Sequence, residues 1–135
     1  MSDLIVIIGL CGSGKSFLCQ KYNNYVIFDD FITHFYNGNL INSIKNKDKV
    51  CISDPRLCIH NIFIKFMKEI ELYVNKNNIE LILFENDPDA CIINVKDRND
   101  GKNGIINTIN RYSTFYNLDN YKDYQHIIIP VWKNS

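Results

Sequence analysis

The chain has no excess charge of either sign: 15 lysines and arginines balance 15 aspartates and glutamates. Summed charge therefore gives no general attraction to nucleic acid or to an acidic membrane surface, so any polyanion site must be built locally. Apolar runs are short as well. None approaches the stretch of about 18 residues that a membrane-spanning helix needs, and the first residues lack the basic and long apolar regions of a secretory leader. We expect a soluble, cytoplasmic protein. The five cysteines (Cys11, Cys19, Cys51, Cys58, Cys91) are odd in number and form no Cys-x-x-Cys pair. They read as reduced, packed side chains, which speaks against a disulfide framework. The three histidines, His34, His60 and His126, have no ligand spacing to one another or to a cysteine, so a zinc site is not expected.

What the sequence does have is enough apolar content for a real core, 46% of its 135 residues, and the length suits one domain over 1–135. No repeat or low-complexity linker interrupts it. Strand-sized apolar runs alternate with segments of helical period, an α/β pattern with a parallel sheet. The expected strands are 4–8, 26–28, 50–52, 79–84 and 127–131. Residues 57–77 carry Ile59, Ile62, Phe63, Phe66, Met67, Ile70 and Val74 at helical spacing and predict one long helix ending at Asn77-Asn78. Asp87-Pro88 is an N-cap followed by a first-turn proline, opening a helix that should end at 97–99. Asn99 to Gly104 is rich in turn formers, after which Ile105, Ile106, Ile109, Tyr112 and Tyr116 resume a helical stripe.

The strongest local signal is Gly9-Leu10-Cys11-Gly12-Ser13-Gly14-Lys15-Ser16, a complete G-x-x-x-x-G-K-[ST] match behind the apolar strand Leu4 to Ile8 and ahead of the amphipathic segment Ser16 to Tyr22. Glycines let the backbone curl so that its N–H groups converge on phosphate oxygens. Lys15 then reaches the β and γ phosphates and Ser16 ligates magnesium, so Gly9, Cys11, Gly12, Ser13, Gly14, Lys15, Ser16 and Phe17 form the expected ATP-binding stretch. Cys11 reads either as a small filler or as a thiol near a helix start.

Many switches, motors and kinases share such a loop. The guanine-reading Asn-Lys-x-Asp and the switch Asp-x-x-Gly are both missing, which argues against a GTPase. Asp29 and Asp30 follow the second strand, where a carboxylate can accept the proton of an attacking hydroxyl; either can instead cap the next helix. Asp54, at the end of the third strand, has two readings: an indirect magnesium partner, or the cap before Pro55. Arg56 is either a surface charge or a phosphate-binding group. Arg98 and Lys102, on a glycine-bearing stretch, suit a loop that closes over transferring phosphate, and equally an ordinary solvated loop.

In their order these features resemble the P-loop kinase family, most closely the kinase domain of phage-type 5′-hydroxyl polynucleotide kinases. The likeness covers nearly the whole chain. It rests on Gly9 to Ser16, Phe28-Asp29-Asp30-Phe31, Val50-Cys51-Ile52-Ser53-Asp54, and Val95-Lys96-Asp97-Arg98-Asn99 with the later Tyr112 and Tyr116. The resemblance implies a five-stranded parallel sheet in the order 2-3-1-4-5, γ-phosphoryl transfer from ATP with Mg2+, Asp29 as the base, and Arg98 and Lys102 as lid cations. Where the family carries an arginine for the substrate's own phosphate, this chain has Phe31-Ile32-Thr33. The acceptor is accordingly open between a polynucleotide 5′-hydroxyl and a nucleoside or nucleotide, and a regulatory nucleotide-binding module is the rival to an enzyme. The flank of the lid and Pro130-Val131-Trp132 are the two places open for the nucleobase.

Overall fold

A computed structural model describes residues 2–98 and 104–133. Five strands, β1 (Leu4–Ile8), β2 (Val26–Asp29), β3 (Val50–Ser53), β4 (Ile79–Phe84) and β5 (Gln125–Ile129), form one sheet in the order β2-β3-β1-β4-β5. All four pairings are parallel, with Leu4 opposite both Val50 and Ile79. The expected strand order is the observed one. Such a sheet needs crossover connections, and the chain supplies them as α1 (Lys15–Cys19), α2 (Asn39–Lys45), α3 (His60–Ile70), α4 (Pro88–Asp97) and α5 (Ile105–Phe115).

Alternation along the strands divides the core between the sheet's two faces. Leu4, Val6 and Ile8 of β1, with Val50, Ile52, Leu81 and Leu83, pack on one side against Phe63, Phe66, Met67 and Ile70 of α3 and Cys91 and Val95 of α4. Ile5, Ile7, Cys51, Ile82 and Phe84 point the other way, toward Cys19 of the short α1 and the half-buried Leu18, Tyr22 and Tyr25. The central strand is buried at all five positions, whereas the edge strands leave Val26, Ile27, Ile127 and Ile128 exposed.

Three boundaries differ from expectation for identifiable reasons. The helix expected over 57–77 is a 3-10 turn, Pro55–Cys58, followed by α3 and then by turns. Asp54 caps the 3-10 turn by accepting from the Arg56 N–H, and Ile59 is extended (φ −90°, ψ 114°), which separates that turn from α3. At the far end, the Asn75 side chain accepts from the Asn77 N–H and starts a new turn that leads into β4. Strand β5 spans 125–129, not 127–131, because Pro130 has no N–H to continue the ladder. Helix α2 was not anticipated; it buries Leu40 and Ile44, four residues apart, behind a glycine N-cap.

Candidate active site

The phosphate loop lies between β1 and α1, at the carboxyl end of the central strand. Its curl requires glycine. Gly12 and Gly14 have φ of 82° and 109°, and a Cβ added at Gly12 would lie 2.5 Å from the Cys91 carbonyl oxygen and 2.9 Å from Val95 Cγ1 on α4. A side chain there would have to displace a helix. The Ser13 N–H donates to the Leu10 carbonyl at 3.1 Å, and Lys15, buried, donates from Nζ to the same carbonyl at 2.7 Å. That ammonium is held inside the loop by the Leu10 carbonyl.

Strand β2 brings Asp29 against this loop. Ser16 Oγ donates to Asp29 Oδ2 at 2.9 Å, and Ser53 Oγ, from the neighbouring β3, donates to Asp29 Oδ1 at 2.6 Å. The register explains the second contact, since Asp29 and Ser53 are paired across the ladder. Asp30 takes a left-handed conformation, φ 51°, and its side chain does not cap the 3-10 turn Phe31–Asn37 that follows. The capping reading of Asp30 is thereby corrected: αL geometry turns the side chain away from the turn's N–H groups. Desolvation first, then the neighbouring Asp29 and Asp54 charges, raise the Asp30 carboxyl above the usual carboxylate range.

Asp54 is fully buried and its oxygens are spent within the protein. Oδ1 accepts from Arg56 N (2.9 Å) and Nε (2.8 Å), and Oδ2 accepts from Arg56 Nη2 (2.7 Å) and Ile32 N (3.2 Å). The cap is present, with Asp54 accepting from the Arg56 N–H, and Asp29 is the carboxylate in contact with Ser16. Arg56 also donates from Nη2 to Thr33 Oγ1 at 2.8 Å, so the pair ties the end of β3 to the segment after β2. The hydrogen bond to Asp54 raises the Arg56 pKa still further and fixes its charge.

Two adjoining cavities share Cys11, Asp30, Pro55 and Ile105. One, of about 470 Å³, follows the loop and is lined by Gly12, Lys15, Ser16, Phe17, Asp29 and Arg98 among others. Its neighbour, about 510 Å³, is lined by Thr33, Asp54, Arg56, Thr108 and Tyr112. A wider opening of about 670 Å³ lies around Tyr22, Tyr25, Asn77 and Gln125 and takes in no residue of the phosphate loop. Residues of the phosphate loop line the first two. Gly9 and Ser13 serve the loop from within: a Cβ at Gly9 would meet the buried Ser13 Oγ at 2.6 Å. Lys102 lies outside the described residues.

Sequence reading missed Asn94, Ser53 and the Arg56–Thr33 contact. Asn94, buried on α4, donates from Nδ2 to the carbonyls of Gly12 (2.8 Å) and Trp132 (2.6 Å). A polar side chain between the apolar Cys91 and Val95 was the available signal. The oxygen donors of Ser16 and Asp29 are of the kind a hard cation such as magnesium takes together with phosphates and water, so the residues present fit that ion.

A glycine-lined loop at the head of a parallel 2-3-1-4-5 sheet, with a serine and a carboxylate in contact beneath it, defines a P-loop NTPase fold. The chain belongs to the same family as uncharacterized protein R277 of Acanthamoeba polyphaga mimivirus, with which it is 46% identical over 135 residues, covering 97% of this chain and 98% of that protein. Among solved structures, the shikimate kinase of Bacteroides thetaiotaomicron has a similar fold, with a TM-score of 0.51 over 95% of this chain and 85% of that one at 17% identity. No protein-family model matches the chain. Among the described residues no helix is long and apolar enough to cross a membrane.

Proposed function

We propose that the chain is a phosphotransferase that moves the γ-phosphoryl group of ATP, with Mg2+, to a hydroxyl acceptor. The observation that carries this reading is the contact of Asp29 with Ser16 at the phosphate loop, beside a second cavity that opens at Asp30. A binding module needs only the first cavity. A kinase needs both, meeting where the γ-phosphate ends.

In this reading the loop amides and Lys15 hold the triphosphate, with the Lys15 ammonium exchanging its Leu10 carbonyl for a phosphate oxygen. Magnesium, held by Ser16 beside Asp29, would neutralise charge on the phosphoryl oxygens. An acceptor hydroxyl in the second cavity attacks phosphorus as the bond to the β-phosphate oxygen breaks, and its proton passes to the carboxylate of Asp29. Arg98, which lines the loop cavity, and Lys102 supply positive charge to the transferring group. Reduced cysteines suit a cytoplasmic setting for such an enzyme.

Arg56 bears on the acceptor. The segment Phe31-Ile32-Thr33 brings no cation of its own, yet the Ile32 N–H and the Thr33 hydroxyl are joined to Asp54 and Arg56, which carry a guanidinium into the second cavity. An acceptor with its own phosphate, a nucleotide or a polynucleotide 5′-hydroxyl end, fits a fixed guanidinium better than a neutral nucleoside does. Incubating the protein with γ-labelled ATP and a panel of 5′-hydroxyl oligonucleotides, nucleotides and nucleosides tests this. Label should appear on an acceptor that carries a phosphate. Label confined to neutral nucleosides would remove Arg56 from acceptor binding.

A further inference from the structure

The mouth of the loop cavity carries an aromatic side chain that phosphate chemistry does not use. Trp132 follows β5, is 45% exposed, and lines this cavity together with Asn94 and Arg98. Its position is fixed by backbone bonds. The Trp132 N–H donates to the Ser13 carbonyl at 3.0 Å, and its own carbonyl accepts from Asn94 Nδ2 at 2.6 Å, while the other Asn94 contact goes to Gly12 at 2.8 Å. A buried asparagine thus fastens the segment after β5 directly to the phosphate loop. The approach is close enough that a Cβ on Gly14 would lie 3.0 Å from Trp132 Cβ. The other exposed aromatic of this cavity, Phe17, already has Lys21 Nζ 5.4 Å from its ring centroid.

Holding an indole half in solvent at the rim of a site costs apolar exposure, and three hydrogen bonds from its neighbourhood are committed to keeping it there. We propose that Trp132 is the platform on which the base of a nucleoside triphosphate stacks when its phosphates occupy the loop. The inference rests on the nucleotide-binding reading above. Stacking on a ring face is tolerant of which base is presented, because every base has such a face. Asn94, the neighbouring amide, directs its donor nitrogen to two backbone carbonyls. Stacking on this platform therefore does not itself discriminate adenine from guanine.

Trp132 is the sole tryptophan of the chain, which makes it its own reporter. Titrating the full chain with Mg-ATP, Mg-GTP and Mg-tripolyphosphate should change the indole emission strongly for the two nucleotides and weakly for tripolyphosphate. Calorimetric titration of Trp132→Ala should show ATP and GTP affinity lowered by about tenfold, with tripolyphosphate affinity within about twofold of the native chain, and Trp132→Phe should recover most of the loss. Unchanged ATP affinity in Trp132→Ala, while tripolyphosphate still binds, overturns the stacking role and leaves the phosphate loop standing. So does an equal loss for tripolyphosphate, which would place the damage in the loop. Failure of the native chain to bind ATP or tripolyphosphate overturns the loop reading itself, and the platform with it.

Discussion

At the scale of single residues, Lys15 and the cysteines give the first checks. Lys15 is buried against the Leu10 carbonyl, so its removal takes a positive charge out of the loop where phosphate would bind. Lys15→Ala should weaken ATP binding by tenfold or more, on the order of 1.5–3 kcal/mol for a hydrogen bond to a charged group, measured by calorimetry. The cysteines provide an independent check. Burial pushes the Cys91 thiol up to about 12, so at pH 8 it is a neutral, enclosed thiol, whereas Cys11 is only half-buried and lines both cavities. A thiol reagent at pH 8 should modify Cys11 well before Cys91, and Mg-ATP should slow the Cys11 reaction. Mass spectrometry of the modified peptides reads both. Much of this site was legible residue by residue: the loop from its glycines and Lys15-Ser16, and Asp29 from its place after a strand. Asn94 and the Arg56–Thr33 contact were not, because each depends on a partner more than 20 positions away, which no local pattern encodes.

At the scale of elements, the segment after β3 is organised by one ion pair. Asp54 caps the 3-10 turn Pro55–Cys58, receives the Ile32 N–H, and holds a guanidinium whose side chain is 35% exposed. Removing the arginine would leave a buried carboxylate with only backbone partners. Arg56→Ala should therefore destabilise the fold by about 2–3 kcal/mol, less than the loss of a wholly enclosed partner because water reaches the guanidinium. Denaturant titration measures it, and a change under about 0.5 kcal/mol would show the pair to be incidental. This is also the place where sequence periodicity misled. The apolar stripe from Ile59 to Val74 is real, and its central residues Phe63, Phe66, Met67 and Ile70 are buried as expected. Periodicity reports which face is covered, however, and not where the side chains of Asp54 and Asn75 open separate turns on either side of the helix. The start of α4 was legible for the same reason in reverse: Asp87 and Pro88 are local signals, and the Asp87 side chain accepts from the Ala90 N–H as that pattern requires.

At the scale of the whole molecule, the sheet places the phosphate loop and the Asp29 carboxylate at the carboxyl ends of strands separated only by β3. Strand order was not readable from periodicity and came from resemblance; the observed pairings agree with it. Binding in such a crevice stabilises the folded state by linkage, about 2.7 kcal/mol at 100 times the dissociation constant. Mg-ATP at that excess should raise the melting temperature by several degrees, and Lys15→Ala should lose most of the shift at the same concentration.

Whether the loop serves transfer or only binding is decided at Asp29. The direct measurement compares the native chain with Asp29→Asn, following label from γ-labelled ATP to a phosphate-bearing hydroxyl acceptor and, in parallel, ATP affinity. The expected result is transfer by the native chain, reduced at least a hundredfold in Asp29→Asn, with ATP affinity changed by less than about threefold, because a general base contributes roughly 10² to 10⁴ in rate. Tight ATP binding with no transfer to any acceptor, or full transfer by Asp29→Asn, would contradict phosphoryl transfer through this carboxylate.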